Sequence, residues 1–223
     1  MIRRLIFPVM MAVFGVAVLL SLGVWQVQRL DQKQTALASI DARIGDVPVE
    51  IPPNPNADVD KYRAVQATGT LTGQEILVLT SHEQGPGYRV ISVLDTGNRR
   101  VMADLGFVGL DAKDSPRTTG QITLTGHLHW PDEVDSWTPA PEGGLWFGRD
   151  VAAMAATLDT EPVLIVVSGM SPAALAVTLM AIDTSDIPND HLGYAITWFG
   201  LAFVWAIMSG FFIFRTARAP LKA

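Results

Sequence analysis

The sequence predicts a membrane protein in which two transmembrane helices bracket an external α+β domain built on an antiparallel, barrel-like β-sheet. Three observations predict this class. Residues 5–24 and 192–214 carry no charge, and an apolar run of about 20 residues is what a helix needs to cross the hydrocarbon core. Between them apolar residues recur with a period of two, punctuated by Gly, Pro, Asn and Asp, the pattern of short strands joined by turns. All 22 acidic residues lie between the two apolar runs, so the charged part of the chain belongs outside the membrane.

The first transmembrane helix is expected over residues 1–26, led by Arg3 and Arg4 and closed by Trp25 and Gln26. Its apolar run is longer than the core of a cleaved signal peptide, no clear A-x-A site follows, and no Arg- and Ser-rich transit peptide precedes it. It is therefore read as a retained span in a bacterial plasma (inner) membrane. Residues 27–60 form an external extension: 31–45 continue the helix outward, and 51–60, rich in Pro and Asn, form a linker.

The β-rich domain is expected over residues 61–188. Candidate strands are 62–71, 74–82, 88–94, 99–108, 121–130 and 163–168, with one short helix at 150–158. Turn chemistry separates them at Thr72-Gly73, Gln84-Gly85-Pro86-Gly87, Thr96-Gly97-Asn98 and the 114–120 loop. Residues 163–182 are also free of charge and could be read as a third span. Ser168-Gly169 and Ser171-Pro172 interrupt that run, and an odd number of crossings would put one basic terminus outside. Two buried strands joined by a Gly-Met-Ser-Pro turn are expected instead.

The second transmembrane helix is expected over 189–214 and a cytoplasmic tail over 215–223, which carries Arg215, Arg218 and Lys222. Basic residues beyond both spans place both termini in the cytoplasm and the central domain in the periplasm. The acidity of that domain argues against nucleic acid as a partner. The chain has no cysteine, which excludes disulfides, thiol redox chemistry and Cys-ligated metals.

No paired nucleophile and base, phosphate loop or haem-c attachment motif is present, so no catalytic residue and no enzyme activity is expected. His127-x-His129 places two imidazoles on one face of a strand, but no third ligand accompanies them.

The junctions between helices and external domain hold the most specific residues. The first reads Gly23-Val24-Trp25-Gln26-Val27-Gln28-Arg29-Leu30-Asp31-Gln32-Lys33, and the second Asn189-Asp190-His191-Leu192-Gly193-Tyr194-Ala195-Ile196-Thr197-Trp198-Phe199. They match in full the patterns G-x-W-Q-x-x-R-x-x-x-K and N-x-H-x-x-Y-A-x-T-W-F, and together with the two-helix layout they resemble the Surfeit locus protein 1 family of cytochrome c oxidase assembly factors. Looser likeness extends to Tyr62-Arg63, Gly85-Pro86-Gly87-Tyr88 and Trp146-Phe147-Gly148-Arg149-Asp150. The chain departs at Met102-Ala103-Asp104-Leu105-Gly106-Phe107-Val108-Gly109, where Leu105 and Gly109 stand in place of the family's usual Arg and Pro. No role of that strand end is carried over.

The resemblance implies help in building the haem-containing core of a haem-copper cytochrome c oxidase and, for bacterial members, transient binding of haem a. His191 would then be the axial ligand of the haem iron. Tyr194 and Trp198, followed by Leu201 and Trp205 at steps of three and four, would offer an apolar and aromatic face to the macrocycle. Arg29 and Lys33 would meet the propionates, and Trp25 and Gln26 would close the site from the first helix. Each residue also has a plainer reading: an interfacial His, belt Trp residues, headgroup-level cations, and Asn189 and Asp190 as a helix cap.

The implied partners are the oxidase catalytic subunit, membrane lipid and haem a synthase. A haem chaperone requires His191, whereas a scaffold that only steadies the nascent catalytic subunit does not. Participation in haem a synthesis fits less well, because only His191 lies near the membrane.

Overall fold

A computed structural model describes residues 3–117, 119–173, 177–184 and 189–218. The chain falls into two compact units, Met1–Ser39 with Ser185–Ala223 and Ile40–Thr184.

Helix α1 runs from Arg3 to Ile44 without a break, with Pro8 inside its second turn. Helix α4 runs from His191 to Arg218. Both are long and apolar enough to cross a membrane. Their apolar side chains are not buried as those of a soluble core helix would be: Phe7 is 73% exposed and Phe203 69%. Such surface is costly in water and costs nothing in lipid. The expected extension over 31–45 is the C-terminal part of α1. Residue 188, Lys222 and the rest of the tail beyond Arg218 lie outside the described residues.

The second unit contains helix α2 (Ala57–Asp60), strand β1 (Ala64–His82), β2 (Gly85–Asp95), β3 (Arg100–Gly109), a 3-10 turn at Leu110–Ala112, β4 (Gly120–Leu128), β5 (Leu145–Trp146), helix α3 (Val151–Leu158) and β6 (Leu164–Ser171). Strands β1, β2, β3, β6 and β4 pair in that order, and β4 pairs back onto β1, so the five close into a ring. Closure removes the free sheet edges that would otherwise invite aggregation.

The barrel-like expectation stands, but the sheet is mixed rather than antiparallel. Strand β6 lies parallel to β3, with Met102 opposite Leu164, and β5 lies parallel to β1. The reason is topological: β4, β5 and α3 intervene before the chain returns between β3 and β4, so β6 re-enters in the direction of β3.

Four local expectations are corrected. The strands expected at 62–71 and 74–82 are one strand, because Thr72-Gly73 makes a bulge, with Gly73 at φ +83°, rather than a turn. The bend lets the first half of β1 pair with β4 and the second half with β2. Gly85-Pro86-Gly87 is not a turn but the start of β2, paired with Thr80, Ser81 and His82. Gly87 is required there, since a Cβ would lie 2.2 Å from the Val108 carbonyl oxygen. The linker contains α2, whose N-terminus is capped by Asn56. Finally, β6 continues through Gly169 and Met170 to Ser171, so Gly169 and Met170 lie in a strand rather than a turn; among the described residues downstream, Thr178 makes a single bridge to Phe107, and residues 174–176 of the second expected strand lie outside the described residues.

The barrel interior is filled by Val65, Leu71, Leu94, Leu105, Leu124 and Ile165 among others. A second cluster forms where Val151, Met154, Ala155 and Leu158 of α3 cover Ile76, Ile91, Met102 and Leu164. Strand β3 is therefore buried on both faces, which explains its nearly continuous apolar sequence. Asp150 caps α3 by accepting from the Ala153 amide at 3.0 Å, and Asp159 ends it in a left-handed conformation at φ 54°.

Candidate functional site

The helix pair is organised by small residues. A Cβ on Gly23 would lie 2.6 Å from the Phe199 ring, and one on Gly15 would lie 2.3 Å from Trp205 Nε1. On α4, Ala195 and Ala202 are 2% and 4% exposed. Small residues let two backbones approach closely without a hydrophobic driving force between them. Ala17, Ser21, Gly200 and Ala206, small residues of the same two helices, are exposed instead.

At one end of the seam Gln26 is buried, 8% exposed, and His191 is half-buried beside it. His191 Nδ1–H donates to Gln26 Oε1 at 2.8 Å. An amide oxygen can only accept, so the bond places a proton on Nδ1; in the neutral ring Nε2 then carries the lone pair, and among the described residues Nε2 has no hydrogen-bond partner. Fixing one ring nitrogen with a carbonyl so that the other can bind metal is how protein histidines are oriented as ligands. The residues thus fit the demand of a haem iron for one neutral imidazole nitrogen.

The other sequence-derived site residues lie on the same two helices. Trp25 is half exposed, and the Arg29 guanidinium sits 5.8 Å from the centre of its ring. Arg29 also donates to Gln32 at 3.2 Å. Lys33 is half-buried, and it and Arg29 follow Gln26 on nearly the same helix face at the 3.6-residue period. Tyr194 is exposed and Trp198 half-buried, one and two turns along α4 from His191. The structure therefore brings Gln26 and His191 into contact and arrays Arg29 and Lys33 beyond Gln26. Trp25 and Tyr194 are on the exposed flank rather than in the seam. Gly23, Ala195 and Phe199, which set the helix spacing, stand inside the two junction motifs, yet their packing role has no separate sequence signal.

A second polar cluster lies in the barrel unit. The Asp104 carboxylate, wholly buried, accepts from Arg89 Nη1 at 2.6 Å and from Arg149 Nη1 at 3.1 Å. Arg149 also forks onto Glu133 through Nε and Nη2. Burial opposes ionisation of Glu133, but the hydrogen bonds and charge of Arg149 overcome it and hold the carboxyl below its usual range. His129, its ring tilted against Tyr62 with centroids 5.4 Å apart, is pushed down to about 4 by burial and then by the Arg149 and Lys61 charges. His127 Nε2–H donates to the Ile44 carbonyl at 3.1 Å, so that nitrogen is committed to the backbone. The cluster is an internally neutralised support of the fold. Asp104 was its one visible signal, a charge inside an otherwise apolar strand.

The SURF1 family model matches residues 13–203, a span that includes both Gln26 and His191. The chain belongs to the SURF1 family. A SURF1-like protein of Monosiga brevicollis is 29% identical over 211 residues, covering 84% of this chain and 80% of the relative. Surfeit locus protein 1 of Homo sapiens is 26% identical over 216 residues, 81% of this chain and 69% of the human protein. A bacterial relative, the SURF1-like protein of Rickettsia prowazekii (strain Madrid E), is 29% identical over 203 residues, 83% of this chain and 81% of its own length. In this SURF1 member the two junction motifs are thus the two halves of one contact, Gln26 with His191.

Proposed function

We propose that this protein assists assembly of a haem-copper cytochrome c oxidase by binding haem a through His191 and passing it to the nascent catalytic subunit. The observation that carries the reading is the hydrogen bond from His191 Nδ1 to Gln26 Oε1, which leaves Nε2 as a ready axial donor. Haem a is cargo here, and its redox chemistry is exercised in the oxidase. One imidazole on a half-exposed helix pair suits transfer, because a cargo carrier needs affinity that can be escaped.

Arg29 and Lys33 supply cations for the propionates, and Trp25, Tyr194 and Trp198 supply apolar and aromatic surface for the macrocycle. The exposed apolar faces of α1 and α4 are solvated by lipid, with the protein crossing a bacterial plasma membrane twice, both termini in the cytoplasm and the barrel in the periplasm. Haem a synthase is the natural donor and the oxidase catalytic subunit the acceptor.

The test is the haem a content of oxidase assembled in cells whose sole copy is His191→Ala. The chaperone reading expects a several-fold fall in haem a per catalytic subunit with the variant present at parental level in the membrane. Full haem a content would remove His191 from the function and leave a scaffold that steadies the catalytic subunit.

A further inference from the structure

At the end of the helix pair away from His191, an apolar groove of about 510 Å³ opens between α1 and α4, lined by Phe7, Met11, Ala12, Trp205, Met208 and Phe212 among others. Its lining identifies the flank of each helix that faces it. Seven-residue steps return to nearly the same side of a helix, so Met208 shares its flank with Leu201 and Tyr194, and Met11 shares its flank with Val18 and Trp25. All six of these side chains are exposed. The groove is therefore the far end of an apolar strip whose near end holds Tyr194 and Trp25, beside the His191–Gln26 pair.

We propose that this groove seats the farnesyl tail of haem a, an inference that rests on the haem-binding reading above. Three features favour this occupant. Trp205 stands about 21 Å from His191 along α4, at about 1.5 Å per residue, a span matched by the radius of a macrocycle plus an extended farnesyl chain. The lining offers almost no polar surface, as an isoprenoid requires; Ser209 is its one hydroxyl. The strip lies on the same two helices as the iron ligand, so one ligand can occupy both ends at once. The groove would then be the determinant that separates farnesylated haem from haem b. In lipid the tail is apolar-solvated whether bound or free, so the discrimination comes from packing rather than from transfer out of water, and a preference of about tenfold is expected.

The experiment is a spectral titration of the full chain in detergent micelles with haem a, haem o and haem b, for the parent and for Ser209→Phe, which fills the groove. The proposal expects haem a and haem o to bind about tenfold tighter than haem b to the parent. It expects Ser209→Phe to lose that preference while binding haem b as the parent does, haem b serving as the check that the helix pair is intact. Equal affinity of the parent for all three overturns the groove assignment and leaves haem binding standing. A preference that survives in Ser209→Phe, as haem b binding survives, places the tail elsewhere. Failure of the parent to bind any of the three overturns both readings.

Discussion

The helix pair and the barrel bury polar groups by different means. In the helix pair a single hydrogen bond, His191 Nδ1–H to Gln26 Oε1 at 2.8 Å, holds the ring beside the seam through one nitrogen. In the barrel four charged groups, Arg89, Asp104, Glu133 and Arg149, pair in a chain around the buried Asp104 carboxylate. An ion-paired network of balanced charge fixes a shape; an imidazole held at one nitrogen is fixed in orientation while the other nitrogen faces no partner among the described residues. On the proposed function, that difference puts support in the barrel and binding in the helices.

The largest expected effect tests the barrel side. Asp104→Ala removes the common partner of two arginines from a site with no solvent access, and breaking a buried ion pair costs about 3–5 kcal/mol. Chemical denaturation of the full chain in detergent should register that loss. A loss below about 1 kcal/mol would mean that the network is solvated and the contrast with the helix pair is false.

The matching change on the helix side is Gln26→Leu. It keeps the volume of the seam but frees the His191 tautomer, and removal of an outer partner of a metal ligand typically costs about 10–100-fold in affinity. Haem titration of the variant should show this weakening with unfolding midpoints unchanged. Unaltered affinity would show that Gln26 only packs.

A smaller effect is expected from pH. His129 titrates near 4 in the folded chain against an ordinary 6.5. Above pH 6.5 the ring is neutral whether folded or unfolded and contributes no pH dependence. As pH falls from 6.5 toward 4, the unfolded chain takes up the proton and the folded chain does not, so stability declines. The full linkage is discounted for the solvent that still reaches the ring, which leaves about 1–2 kcal/mol. His129→Phe should flatten the stability profile across that window; an unchanged slope would assign it to the carboxylates. The smallest expected effect is Asp150→Ala, which loses the cap of α3 and about 1 kcal/mol, read as a small drop in denaturation midpoint.

These two regions were unequally legible in the sequence. The ends of the helix pair were plain, because absence of charge over a long run has few other meanings, and the junction motifs named both Gln26 and His191. What could not be read was the bond between them, since residues on different helices carry no mutual signal. In the barrel the strands are legible through alternation, but Thr72-Gly73 is ambiguous: a glycine at positive φ serves a bulge as well as a turn, and only the partner strands decide. Gly85-Pro86-Gly87 misled for a similar reason, as Gly87 answers a close carbonyl of β3 rather than a reversal of the chain. The parallel placement of β6 depends on where the chain returns after α3, and the link of Arg149 to Asp104 joins positions distant in sequence, so neither had a local trace.

The central claim is that His191 binds haem through Nε2. Its most direct test is the absorption spectrum of the protein purified from cells that make haem a, beside His191→Ala prepared in the same way. Soret and α bands present in the parent and lost in an equally folded variant are the predicted result. Bands absent from both, or unchanged by the substitution, would contradict it.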